Sequence, residues 1–206
     1  KKLTADLKKK DVPCSPSLDV ISLLVDVSET SDWALAGLPG DPLSIQNGIV
    51  VTRSSRYPLL IDPQGQAIKW IRQHEAERLP QFGITALNNP RIKDQLEFAM
   101  AEGKALIVAG VEEELDPMLD PVLNKQWIQK GKSKYINLMD KLCEFQETFA
   151  LYLITRLPNP HFSPEDQAKC VVVDFTVTRK GLEEQLLGRV IQKEQRSLEE
   201  QLSSVL

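Results

Sequence analysis

Two rhythms of apolar and polar positions run through this sequence. Residues 17–26 place Leu18, Ile21, Leu24 and Val25 at helical three-and-four spacing, and 37–42 form a loop of turn formers. Ile49-Val50-Val51 is a β-branched run that pairs as a strand or leads into one. Residues 59–62 predict a buried strand ending at Pro63-Gln64-Gly65, followed by a helix over 66–75 with Ile68 and Ile71 on one face. A second strand is predicted over 84–87. Asn88-Asn89-Pro90 then starts a helix over 91–101, which turns Ile92, Leu96 and Ala99 inward and stops at Gly103. The continuously apolar 105–111 reads as a strand covered on both faces.

Asp116-Pro117 and Asp120-Pro121 punctuate a loop before a helix predicted over 122–129. Residues 135–138 and 142–145, joined through Met139-Asp140-Lys141, read as a hairpin. A fourth strand is expected over 149–154, a short helix from Ser163-Pro164-Glu165, and a fifth strand over 171–175. Strands alternating with helices predict a three-layer α/β fold with a parallel sheet. From Gly181 onward Leu187, Ile191, Leu198, Leu202 and Val205 form an apolar stripe among charged residues. That stripe predicts a helix that leaves the domain or docks on it, with a partner helix expected. The chain divides into a lead-in over 1–44, a core over 45–180 and a C-terminal helix over 181–206.

The 206 residues suffice for a domain that needs no metal or disulfide staple. Their formal charge of −4 gives no general pull toward nucleic acid or anionic membrane, and no apolar run is long enough to span a bilayer. The first ten residues carry five lysines, which read as a solvated helix end or a basic arm. The start is not a signal peptide, and the chain reads as a piece of something longer. Cys14, Cys143 and Cys170 form no disulfide framework. His74 and His161 stand apart from any Cys pair, so no zinc site is expected.

Ligands of open α/β sheets bind at the carboxyl ends of the strands, here first at 59–66. A phosphate loop needs G-x-x-x-x-G-K-[ST]. With its second glycine on Gly65, Leu60 replaces the first glycine, Gln66 the lysine and Ala67 the hydroxyl residue. Lys69 lies one helical turn further on and is expected to point elsewhere. Gly131-Lys132-Ser133 follows no strand and reads as a turn. Gly110 and Val111 occupy the positions of a magnesium-binding Asp and a catalytic Glu, with Glu112, Glu113 and Glu114 shifted downstream. Those acids read as a solvated turn or as a metal- or water-activating group. Arg156 and Asn159 follow the fourth strand, His161 lacks a partner within sequence reach, and Trp33, Trp70 and Trp127 are too dispersed for a base-stacking platform.

Several stretches together carry a resemblance. They are Gly37-Leu38-Pro39, Leu43-Ser44-Ile45-Gln46-Asn47-Gly48, Arg56-Tyr57-Pro58-Leu59-Leu60-Ile61-Asp62-Pro63-Gln64-Gly65-Gln66-Ala67, Glu114-Leu115-Asp116-Pro117-Met118-Leu119-Asp120-Pro121-Val122-Leu123, Leu157-Pro158-Asn159-Pro160-His161, Asp174-Phe175-Thr176-Val177-Thr178 and Gly181-Leu182-Glu183-Glu184-Gln185-Leu186-Leu187. They resemble the fifth AAA+ module of dynein heavy chains, with wording closer to axonemal than cytoplasmic members.

The resemblance implies an AAA+, P-loop NTPase-like core with the 59–62 strand between those at 149–154 and 171–175, and the other two beyond 149–154. It also implies a microtubule motor of cytoplasm, cytoskeleton and axoneme whose ATP and magnesium act in other modules. This module would bind no cofactor and contribute no catalytic residue. Its partners would be neighbouring modules, the stalk through a coiled-coil strut and, only indirectly, the microtubule. A regulatory nucleotide-binding module without significant hydrolysis is the alternative. The family lends an arginine to the neighbour's nucleotide from near the fifth strand. Lys169 stands there in this sequence, as a neighbour-facing point charge or a solvated lysine.

Overall fold

The computed structural model describes residues 20–131, 133–139 and 141–205. The basic residues 1–10, Cys14, the start of the helix expected from residue 17, Lys132 and Asp140 lie outside the described residues, as do the side chains of Leu198, Leu202 and Val205.

Five strands form one parallel sheet: β1 (Pro58–Ile61), β2 (Ile84–Ala86), β3 (Ala105–Ala109), β7 (Ala150–Thr155) and β8 (Val171–Asp174). Their order is β2-β3-β7-β1-β8, with Leu59 opposite Leu153 on one side and Val172 on the other. Alternate residues feed opposite faces, as a pleated strand requires. Leu59, Leu106, Val108, Leu151 and Leu153 enter one core with α5 (Ile92–Glu102) and α6 (Asp120–Leu123). Leu60, Ala105, Ile107, Tyr152 and Ile154 enter the other, where Trp33, Trp70, Ile71 and Phe175 lie.

Preceding the sheet are α1 (Val20–Leu24), α2 (Val27–Leu35) and α3 (Pro42–Arg53); α4 (Gln66–His74) follows β1. Ile49-Val50-Val51 lies inside α3, not in a strand. Asp41 caps that helix by accepting from the Ser44 amide at 3.1 Å and the Ser44 hydroxyl at 2.8 Å, and Pro42 sits in its first turn. A cap plus burial of Ile49 and Val51 overrides the strand preference of three residues. Gly48 faces Trp33 so closely that a Cβ there would stand 3.0 Å from its ring. Trp33 and Trp70 meet edge to face at 6.0 Å in this core.

The helix expected over 122–129 is much shorter. A 3-10 turn (Pro117–Leu119) runs into α6, which Lys125 ends in the left-handed conformation at φ 52°. Trp127 then begins β4 (Trp127–Lys130), which pairs antiparallel with β5 (Ser133–Leu138), itself paired with β6 (Lys141–Phe145). Gly131 therefore follows a strand after all, and joins β4 to β5. The expected hairpin is two strands of a three-stranded sheet, whose Ile136, Leu138, Cys143 and Phe145 close one core. α7 (Pro164–Lys169) precedes β8, and α8 (Arg179–Val205) ends the described chain.

Candidate functional site

The carboxyl end of β1 is the place where an α/β sheet presents a ligand site. There the chain runs through Asp62, turns at Pro63-Gln64 and enters α4 through Gly65 at φ 73°, a left-handed conformation that glycine adopts freely. The first amides of α4 lack partners within the helix. Asp62, 1% exposed, supplies two of these partners: Oδ1 accepts from the Gln66 amide at 2.8 Å and Oδ2 from the Ile68 amide at 2.9 Å. The chain's own carboxylate therefore sits at the positive end of this helix, where an external anion would otherwise bind.

Gln66, in the lysine position of the phosphate-loop pattern, commits its side-chain amide to α8. Its Nε2 donates to Gln185 Oε1 of α8 at 3.0 Å, and Gln185 Nε2 donates to Asp41 Oδ1 at 3.4 Å. Gln64 Oε1 accepts from the Val177 amide at 3.4 Å. One row of side-chain bonds thus joins the N-terminus of α4, the first turns of α8 and the cap of α3. Asp41, Asn47, Gln66, Thr176 and Gln185 leave a residual cavity of only about 10 Å³ between them. Outside it lies an open groove of about 640 Å³, bounded by the Gly37-Leu38-Pro39-Gly40 loop, Gln66, Lys69, Gln185 and Arg189. Lys69 lines this outer groove together with Gln66.

Leu60 is fully buried in β1 and Ala67 in α4. At the end of β3, Gly110 turns the chain at φ 71°, Val111 is buried, and Glu112, Glu113 and Glu114 are exposed beyond it. Among the described residues no three His, Cys, Asp or Glu side chains come together in a group that could hold a metal ion.

Residues 31–206 match the family described as the ATP-binding dynein motor region. The chain belongs to this dynein family. It is 52% identical over 201 residues to the dynein gamma chain of the flagellar outer arm of Chlamydomonas reinhardtii. It is 47% identical over 201 residues to dynein axonemal heavy chain 8 of Mus musculus and 44% identical over 201 residues to axonemal heavy chain 5 of the same species. Each alignment covers 98% of this chain and 4% of the relative, so the chain spans a small fraction of the dyneins it matches.

At the other end of the dynein module's sheet, Lys169 closes α7. Its side chain is 12% exposed and its ammonium reaches Glu165 at 2.7 Å, Asp120 at 2.9 Å and Asp166 at 3.9 Å. Hydrogen bonds to Glu165 and Asp120 push its pKa above the usual lysine range. Lys169 is therefore not a free, solvated point charge; it ties α6 to α7. The cation standing beside it is Arg56, whose guanidinium caps α7 through the carbonyls of Gln167 and Ala168 at 3.3 and 3.0 Å. Arg156, Asn159 and His161 are exposed after β7.

Sequence reasoning missed Asp62, Asp41 and Gln185 as site residues. For Asp62 the signal was present, an acid at a strand end four residues before a helix start. Gln185 gave none, because its partners lie 119 and 144 positions away. Among the described residues no helix is long and apolar enough to cross a membrane.

Proposed function

We propose that this chain is a nucleotide-silent structural module in the AAA+ ring of an axonemal microtubule motor, relaying ring movement to the stalk. The observation that supports the reading is the Asp62 carboxylate on the Gln66 and Ile68 amides. A second negative group brought to those amides meets like charge, and Gln66 and Ala67 offer neither an ammonium for phosphates nor a hydroxyl for magnesium. ATP and magnesium act in other modules of the parent chain. The partners of this one are its ring neighbours, the stalk through a coiled-coil strut continuing α8 and, indirectly, the microtubule. It acts on neither nucleic acid nor membrane. The relatives' flagellar and axonemal names support a place in the axoneme.

The relay has a physical basis in α8. Its start is held by Gln185 to Gln66 and Asp41, and Gly181 is buried. Along the helix Leu182, Leu186, Leu187, Val190 and Ile191 are about half exposed, an apolar stripe that the core leaves uncovered. From Gln185 to Val205 it extends about 30 Å, a lever whose base turns with α3 and α4. A double-mutant cycle tests the latch. Gln66→Ala and Gln185→Ala should each speed hydrogen exchange in the first turns of α8, and the double variant should add little. Additive effects would contradict a shared latch.

The groove lined by Lys69 and Arg189 favours a second reading, a regulatory module that binds nucleotide outside the filled site. Nucleotide titration with and without magnesium separates the two.

A further inference from the structure

A second cleft lies at the amino ends of β1 and β7, opposite the site above. It measures about 770 Å³, within the range of ligand pockets, and Tyr57, Trp127, Phe145 and Phe149 form its apolar floor. These rings pack in sequence: Tyr57 against Phe149 at 6.1 Å, Phe149 against Phe145 at 5.9 Å, and Phe145 against Trp127 at 5.8 Å. Trp127 remains 43% exposed.

The rim carries four cations in a chain whose formal charge is −4. Lys134 is neutralised by Glu147 at 2.6 Å and Arg78 by Glu75 at 3.0 Å. Arg56 and Lys125 are not: among the described residues they bond only neutral carbonyls, Arg56 those of Gln167 and Ala168, and Lys125 that of Ser55 at 2.5 Å. Lys125 and Lys134 stand over Trp127 at 5.9 and 4.4 Å from its ring centre, and Lys125 lies 5.4 Å from that of Tyr57.

Lys125 is also at an unusual backbone position. It follows the cap of α6, with its amide bonded to the Val122 carbonyl and the Gln126 amide to that of Pro121, a helix end usually completed by glycine. The fold holds a lysine at φ 52°, where glycine is unstrained, and aims its ammonium across aromatic rings.

We propose that this cleft binds an acidic protein segment, its carboxylates on Arg56 and Lys125 and an aliphatic side chain on the Trp127 floor. Two uncompensated cations beside exposed aromatic surface match carboxylates flanking an apolar side chain. The chain's own first ten residues, with five lysines, have the wrong charge for this role.

The test uses the 206-residue chain and a fluorescein-labelled peptide with the sequence of residues 110–119, which carries Glu112, Glu113, Glu114 and Asp116 beside Leu115. Fluorescence anisotropy should show saturable binding that weakens with salt. Arg56→Gln and Lys125→Gly should each weaken it about fivefold to tenfold, while Arg72→Gln leaves it unchanged. Lys125→Gly relieves the backbone strain, so an unchanged or raised melting temperature alongside weaker binding separates a ligand role from a structural strap. Binding that survives both cleft variants would overturn the proposal. So would equal binding of a peptide with glutamines in place of its acids, or displacement by pyrophosphate at lower concentration than by unlabelled peptide, which would make the cleft a phosphate site.

Discussion

The Asp62 carboxylate and the Ile68 amide, six residues apart, meet at 2.9 Å across the turn that joins β1 to α4. With the bond to Gln66, this contact fills two amides of the helix end from within the chain. Asp62→Ala leaves two helix amides without acceptors. Charge-assisted bonds of this kind contribute roughly 1.5–3 kcal/mol each at most, and their loss partly overlaps, so a destabilisation of about 2–4 kcal/mol is expected by chemical denaturation. Sulfate should then stabilise the variant more than the parent chain, because the vacated helix end accepts an external anion. Equal stabilisation of both would mean that Asp62 does not occupy an anion site.

Lys169→Met should lower the melting temperature of the isolated chain, because Asp120 and Asp166 lose the cation between them. A cation reserved for a neighbouring module would leave the isolated chain's melting temperature unchanged. Thermal unfolding of the two proteins side by side distinguishes these roles.

Gly48→Val should destabilise the module by about 1–3 kcal/mol, because a Cβ already reaches within 3.0 Å of Trp33 and 3.1 Å of Leu38. Denaturant midpoints at unchanged slope provide the measurement.

Stability should fall at alkaline pH. Burial pushes the Tyr57 hydroxyl up to about 12 from 10, and burial, with Asp166 adding to it, pushes the Cys170 thiol up to about 11 from 9. The fold favours the neutral form of each group. Their contributions are therefore intact below the ordinary values and are lost as pH rises through the folded ones, giving a decline from about pH 9 to about pH 12. Tyr57 accounts for about 2–3 kcal/mol of it, the free energy that separates its folded and ordinary pKa values. Tyr57→Phe should make the part above pH 10 shallower in denaturation curves collected across this range, the remainder coming from Tyr152, which burial and Glu75 push above its ordinary value.

The apolar runs at Leu59-Leu60-Ile61 and Ala105-Leu106-Ile107-Val108 were legible as strands because burial on both faces leaves no room for polar residues. The resemblance supplied their order. Ile49-Val50-Val51 misleads because β-branched residues mark burial as readily as strand, and the cap at Asp41 decides the matter. Trp127-Ile128 reads as helix because the left-handed turn at Lys125 uses a residue that rarely adopts it. In the site, substitution of the phosphate-loop positions is visible at Leu60, Gln66 and Ala67. The replacement interactions are less so. Gln66 meets Gln185 only after folding, and Lys169 advertises Glu165 and Asp166 through helical spacing but gives no hint of Asp120.

The central claim is that the module's own side chains have replaced a nucleotide. Isothermal titration of the chain with ATP, with and without magnesium, tests it most directly. Two missing phosphate and metal contacts weaken such a site by roughly a hundredfold to ten-thousandfold, so no saturable binding is expected up to about millimolar ATP. Micromolar, magnesium-dependent binding, or turnover abolished by changing Glu112 or Glu113, would contradict the account.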